Sequence, residues 1–222
     1  MILYTVKNGV YYNLNEFKKN LSDLKENGFP NKIYINMTNR CSCSCTFCLR
    51  SLKEFNENNS LWLKEEPTVD EVKSEFMQYD WANAAEIIFC GFGEPTMRLS
   101  DLVEVGAWLK EIHREIPIRL NTNGLSDLVF GEPTAQKLKG IIDTVSISLN
   151  SSTAEKYLAV TRNRYGTASY EAMLQFAKDC KKYVPNVVMT VVDIIGEEEV
   201  EACRKVCKDH ELFLRVRPYE AN

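Results

Sequence analysis

Four cysteines fall within residues 39–51, Asn-Arg-Cys-Ser-Cys-Ser-Cys-Thr-Phe-Cys-Leu-Arg-Ser, and three of them, Cys41, Cys45 and Cys48, form the spacing C-x-x-x-C-x-x-C. Thiolates this close in a short loop can converge on one inorganic centre. An iron-sulfur cube with three cysteine ligands keeps one iron without a protein ligand, and an open iron is a place to bind a substrate. A zinc site would need a fourth ligand, for which Cys43 is available. Disulfides fit less well, because nothing marks the chain as secreted.

The triplet spacing, with Phe47 just before its last cysteine, resembles the signature of the radical S-adenosylmethionine (SAM) superfamily. The resemblance implies that Cys41, Cys45 and Cys48 hold a 4Fe-4S cluster, with Phe47 among the residues that contact the cofactors. It implies that the free iron chelates the amino and carboxylate groups of SAM. One electron from the reduced cluster then breaks a carbon-sulfur bond, giving methionine and a 5'-deoxyadenosyl radical. An external one-electron donor such as flavodoxin or ferredoxin is implied as a partner.

Composition sets bounds on this reading. At 222 residues, one large domain or at most two are expected, and the hydrophobic share of 45% is that of a globular protein with a sizeable core. The net charge of -4 argues against broad nucleic-acid binding, which needs many basic phosphate contacts. Residues 1–10 contain no apolar leader segment, and no later run approaches the roughly 20 apolar residues of a membrane span. The sequence therefore predicts a cytoplasmic protein in which the eight cysteines are thiols or cluster ligands.

The elements that must position the loop follow from periodicity. Apolar residues around Asn8-Gly9 predict a β-hairpin, and Asn13 with Glu16 predicts a helix that Gly28 and Pro30 end. Residues 1–31 thus read as an appendage to a main domain over residues 32–222. Strands are expected at 32–38, 86–92, 117–123, 143–150, 187–194 and 212–217. Helices are expected between them at 69–79 after a Thr68/Glu71 capping box, 101–115 after Ser100, 134–138, 153–160, 170–183 and 197–210. This alternation implies right-handed crossovers and a parallel sheet. Six units of an eightfold barrel of about 250 residues need roughly 190, which nearly fills the span after residue 31. The expected fold is α/β, a six-stranded partial (β/α)6 TIM-like barrel with a small N-terminal appendage. An open doubly wound sheet is the alternative.

One face of most expected strands is polar: Tyr34/Asn36/Thr38, Arg119/Asn121/Asn123, Thr144/Ser146/Ser148/Asn150 and Arg215/Arg217. Strand side chains alternate sides, so one consistent choice turns all these sets towards a polar interior. Tyr34, Asn36, Arg215 and Arg217 become the candidate substrate contacts. Guanidinium groups there suit a carboxylate or phosphate, which predicts an anionic substrate.

The ends of these strands carry further parts of the resemblance. Gly91-Phe92-Gly93-Glu94-Pro95 looks like the family's Gly-Gly-Glu-Pro motif with Phe92 in place of the first glycine, and implies that Gly91, Gly93, Glu94 and Pro95 form the edge that receives the SAM amino group. Asn121-Thr122-Asn123-Gly124 is similar to a Thr-Asn-Gly strand ending, which gives Asn123 to polar groups of SAM. Ser148 and Asn150 stand where the family places side chains near the ribose or the methionine carboxylate. Val192-Asp193-Ile194-Ile195-Gly196 resembles a Gly-x-Ile-x-Gly element that packs on adenine, with Val192 replacing the first glycine, and gives Ile194 that contact. Arg162 and Arg164 are candidates for the SAM carboxylate.

Cys180, Cys203 and Cys207 lie on apolar stripes of expected helices and read as buried structural thiols, and His113 and His210 read as non-catalytic. The sequence around the cluster loop and the closing Arg215-Val216-Arg217-Pro218-Tyr219-Glu220 looks like the small radical SAM proteins associated with TatD-type nucleases. The expected function is reductive SAM cleavage followed by hydrogen abstraction from an unidentified substrate. A glycyl-radical activating enzyme and a 7-carboxy-7-deazaguanine synthase-like enzyme are the neighbouring alternatives. A non-catalytic iron-sulfur or zinc module is the rival of a different class.

Overall fold

The computed structural model describes residues 1–17, 24, 26, 28–52, 60–81 and 84–219. Its strands are β1 (Leu3–Lys7), β2 (Val10–Asn13), β3 (Lys32–Ile35), β4 (Glu86–Phe89), β5 (Ile118–Thr122), β6 (Thr144–Ser148), β7 (Asn186–Val192) and β8 (Phe213–Arg217). The described α-helices are α1 (Leu49–Leu52), α2 (Val69–Phe76), α3 (Leu99–Ile112), α4 (Ser126–Phe130), α5 (Ala154–Thr161), α6 (Ala168–Cys180) and α7 (Glu197–Asp209). The sheet order is β2-β1-β3-β4-β5-β6-β7-β8. The pairings β3/β4, β4/β5, β6/β7 and β7/β8 are parallel. The fold is thus α/β with a mostly parallel sheet, and no described helix is long and apolar enough to cross a membrane.

Three expectations need correction. The sheet has eight strands rather than six, because the N-terminal hairpin joins it: β1 pairs antiparallel with β3 through Leu3↔Ile35 and Tyr4↔Tyr34. An edge strand with apolar Leu3 and aromatic Tyr4 gains burial by pairing, and both are at most 2% exposed. The turn itself is as expected, with Asn8 at φ 51° and Gly9 at φ 73°, the two positive values a type I' turn requires. The helix expected after Asn13 shows as one 3-10 turn, Leu14–Phe17, and much of its remainder lies outside the described residues. Ser100 does not cap α3, whose N-cap is Arg98, without a side-chain bond.

The chain divides into two compact units, the first comprising Met1–Arg40 and Lys53–Leu120, the second Cys41–Leu52 and Asn121–Ala221. In the first, Ile33, Ile35, Ile87, Phe89, Ile118 and Leu120 form the buried face of β3, β4 and β5. Helix α2 starts with the expected capping box: Thr68 Oγ1 accepts from Glu71 N–H at 3.1 Å, and Glu71 accepts from Thr68 N–H at 2.7 Å. Its Phe76 packs on Trp81 and on Trp108 of α3, with ring centroids 4.5 and 6.1 Å apart. On the polar face Tyr34 stacks on Tyr4 at 5.0 Å and Arg119 Nη2 pairs with Glu86 at 2.9 Å, while Asn36 Oδ1 and Arg119 Nε are buried with no hydrogen-bond partner among the described residues.

In the second unit, Val145, Ile147, Met189, Val191 and Leu214 form the buried face of β6, β7 and β8. The register sets Ser148, Thr190 and Arg215 side by side on the other face, with Val192 beside Arg217. Arg215 Nη2 donates to Ser146 Oγ at 3.4 Å on the same face. Cys180, Cys203 and Cys207 are buried as expected. Burial pushes all three thiols up, Cys203 to about 12 and Cys207 to about 11, so they stay protonated and inert.

Candidate functional site

The cysteine loop is held from below by the end of α5. Ser44 and Thr46 donate their N–H groups to the carbonyls of Thr161 and Val160, both at 2.9 Å, so a helix C-terminus with orphan acceptors meets a loop with free donors. Arg162 then takes a left-handed turn at φ 46°, which sends Arg164 N–H back to Ser42 O at 3.3 Å. Asn163, buried behind the turn, donates to Thr161 Oγ1 at 3.0 Å and accepts from Tyr165 N–H at 2.9 Å. This clamp fixes the loop before any ligand binds.

Within the loop the thiols face one another. Cys41, Cys45 and Cys48 are half-buried and Cys43 is buried. The Cys43 thiol is hydrogen-bonded to both Cys41 and Cys45. Those bonds hold Cys43 protonated, far above an ordinary thiol, while the bond from Cys43 pulls Cys45 below it. Burial raises Cys48, against the opposing charge of Arg50, and Arg50 Nη2 also donates to Cys43 O at 3.4 Å. Asn123, at the end of β5, reaches the same loop, with its Nδ2 3.1 Å from Ser42 Oγ and 3.9 Å from Cys41 Sγ.

The glycine turn belongs to the first unit and is built against the end of β3. A Cβ on Gly93 would lie 2.3 Å from Thr38 O and 2.7 Å from Arg40 O, so only glycine fits. Glu94 N–H donates to Arg40 O at 2.8 Å. The Glu94 carboxylate is buried and caps the next 3-10 turn, accepting from Thr96 N–H at 3.1 Å and Thr96 Oγ1 at 2.8 Å, with Pro95 opening that turn. Phe92 departs from the expected glycine because it packs on Tyr11 of the hairpin, with centroids 6.2 Å apart.

Arg40, the residue before the first cysteine, carries a support that sequence reasoning missed. Its guanidinium donates twice to Glu66, at 3.1 and 3.0 Å, while Glu66 also accepts from Thr38 Oγ1. Arg98 adds bonds to Met37 O at 3.0 Å and Pro67 O at 2.5 Å. Burial pushes the Glu66 carboxyl up, but the bonds from Thr38 and Arg40 together with the charges of Arg40 and Arg98 win, and the net shift is downward from 4.5. A carboxylate lowered in the folded state stabilises above its unfolded value, and the stabilisation disappears as pH falls through the folded value. Wild-type stability is therefore expected to drop more steeply below about pH 4.5 than that of Glu66→Gln, and parallel urea titrations between neutral and acid pH measure the difference.

The other expected contacts are unevenly placed. Asn36 donates its amide N–H groups to Met1 O at 3.2 Å and Leu61 O at 2.6 Å, and its Oδ1 is buried with no hydrogen-bond partner among the described residues. Ile194 is 54% exposed in a short 3-10 turn. Asn150 is buried at φ 64°, and Ser148 is half-buried. Arg162 and Arg164 are exposed, and Arg164 lies over the ring of Tyr165 at 5.0 Å. His113 and His210 cap the C-termini of α3 and α7.

A model of the radical SAM superfamily matches residues 35–207, most of the chain. The chain belongs to the radical SAM superfamily. A protein named GTP 3',8-cyclase, from Corynebacterium glutamicum (strain R), is 29% identical over 134 residues, covering 58% of this chain and 33% of the relative. The chain therefore spans about a third of the length of that curated relative. A solved radical SAM methyltransferase from Sphaerobacter thermophilus superposes with a TM-score of 0.56 at 15% identity, over 84% of this chain and 55% of that one, a likeness of fold.

Radical SAM enzymes use a 4Fe-4S cluster and SAM. The donor set of the loop fits such a cluster in chemistry: four thiols within bonding or charge reach of one another, backed by the neutral N–H donor of Asn123 and the cation of Arg50. As the side chains stand, no three Cys, His, Asp or Glu among the described residues have metal-holding geometry, and the Cys43 thiol is bonded to two of the three expected ligands.

Proposed function

We propose that Cys41, Cys45 and Cys48 hold a 4Fe-4S cluster whose fourth iron is left to SAM, and that the chain uses it for radical chemistry on an anionic substrate. The observation that carries the reading is the preformed cysteine loop, clamped to the end of α5 by Ser44, Thr46 and Arg164, in a chain of this superfamily. When bound, the cluster supplies the electron that splits SAM into methionine and a 5'-deoxyadenosyl radical.

The chain's own residues bind and orient. The turn at Gly91 and Gly93 receives the SAM amino group on its backbone, and both glycines are needed there to let the turn pack on Asn36 and on the carbonyls of Thr38 and Arg40. Arg162 and Arg164 serve the SAM carboxylate, and Ile194, exposed at the end of β7, covers the adenine. Arg215 and Arg217, on the same strand face as Ser148 and Thr190, receive the anionic group of the substrate. A guanidinium suits phosphate and carboxylate alike by paired hydrogen bonds, and the relative named for GTP acts on a substrate of that charge class. Gly91 and Gly93 follow β4 and Ile194 follows β7, at the carboxyl ends of parallel strands where α/β sites are assembled.

The test is anaerobic reconstitution with iron and sulfide, reduction with dithionite, addition of SAM, and chromatography for 5'-deoxyadenosine. Formation of that product supports the reading, and a loaded cluster that binds SAM but yields none ends it. Once a substrate is in hand, Arg215→Met or Arg217→Met should weaken its binding about tenfold, a loss near 1.4 kcal/mol, with SAM affinity unchanged. Equal substrate affinity in both variants would remove them from the site.

One observation favours a second reading. Cys43 lies in bonding contact with Cys41 and Cys45, which gives the loop the four thiols of a structural zinc site. Metal analysis of protein purified without added iron separates the two, since that reading requires stoichiometric zinc.

A further inference from the structure

We infer that Asn123 is a positioning residue that donates to the Cys41 sulfur and so raises the reduction potential of the bound cluster, an inference that rests on the proposed function.

The orientation of the Asn123 amide is fixed by its own turn. Its Oδ1 accepts from Leu125 N–H at 2.9 Å, and Thr122 Oγ1 accepts from Gly124 N–H at 3.1 Å. Gly124 sits at φ +76°, and a Cβ there would meet Ile147 Cγ2 at 2.8 Å and Met173 Cγ at 2.9 Å. The turn therefore has no room to relax, and with its acceptor engaged the amide can present only Nδ2 to the cysteine loop. That nitrogen lies 3.1 Å from Ser42 Oγ, 3.6 Å from Cys43 Sγ and 3.9 Å from Cys41 Sγ. Of the two sulfurs that Nδ2 reaches, Cys41 is the one in the proposed ligand triplet. Hydrogen bonds to the ligand sulfurs are among the determinants of cluster potential. They stabilise the more negative, reduced cluster more than the oxidised one, so the donor makes the electron easier to accept.

The test is redox titration of the loaded protein, followed by electron paramagnetic resonance, in wild type, Asn123→Asp and Asn123→Ala. Aspartate keeps the oxygen that accepts from Leu125 but adds a negative charge that by itself lowers the potential, so Asn123→Ala, which removes the donor without adding charge, decides whether the hydrogen bond tunes the cluster. The expected result is a fall in midpoint of at least a tenfold change in the oxidised-to-reduced ratio at fixed potential, 59 mV for one electron, in Asn123→Asp, with a smaller fall in Asn123→Ala. Iron and sulfide content is measured first. An Asn123→Ala protein loaded like wild type whose midpoint stays within twofold in that ratio overturns the inference. Loss of the cluster in both variants with unchanged melting of the metal-free protein also overturns it, because Asn123 would then hold the loop rather than tune the cluster. A wild-type chain that takes up no cluster overturns the proposed function instead.

Discussion

Alanine at Cys41, Cys45 or Cys48 is expected to abolish cluster binding and 5'-deoxyadenosine formation, whereas Cys43→Ala keeps both within about threefold, a barrier change near 0.7 kcal/mol. The difference is one of placement. The three expected ligands are half-buried, while Cys43 is 4% exposed and bonded to its neighbours. Losing one ligand leaves two thiolates to hold a cube that needs three, and the clamp from α5 does not let the loop slide Cys43 into the vacated position. Removing Cys43 deletes only a thiol outside the proposed triplet. Iron and sulfide content, the cubane absorption and product chromatography on the four variants make the comparison. A Cys43→Ala protein that loses its iron while one of the other three retains it would refute the assignment of ligands.

Gly93→Ala should be the most damaging single methyl group in the first unit, costing about 3 kcal/mol, the upper part of the overpacking range. The added carbon would sit 2.3 Å from Thr38 O and 2.7 Å from Arg40 O, and both are backbone atoms that cannot rotate away. Relief requires β3 and the glycine turn to separate, which breaks the Glu94 N–H to Arg40 O bond and disturbs the residue next to Cys41. At a few degrees per kcal/mol for a chain of this size, the melting temperature should fall by about 6 to 12 °C. Gly140→Ala is the control: its Cβ meets nothing within 4 Å, and its φ of +72° alone costs about 1 kcal/mol. A Gly93→Ala protein that melts no lower than the control would show that the turn does not press on β3 as described.

Much of this was legible because period and spacing are local properties. All six parallel strands lie where alternating apolar residues and turn signals set them, and the Thr68/Glu71 capping box stands as written. The triplet Cys41, Cys45 and Cys48 needed no fold to be noticed. The hairpin was legible as a hairpin but not as part of the sheet, because pairing with β3 depends on an edge that no window of sequence contains. The same limit applies to Asn36, whose polar strand position suggested a substrate contact but whose amide is held by the carbonyls of Met1 and Leu61.

The supports of the site were the least readable part. Glu66 beneath Arg40, the α5 carbonyls beneath Ser44 and Thr46, and Asn123 against Cys41 each join residues that are 26 to more than 100 positions apart. The sequence by itself determined the family, the cysteine triplet and the strand-helix order, since these depend on residue type and near-neighbour spacing. Only the tertiary structure decided which thiol is buried, which glycine the carbonyls of Thr38 and Arg40 forbid to change, and where the Asn123 amide points. Those outcomes follow from hydrogen bonds and steric contacts that form when distant segments meet.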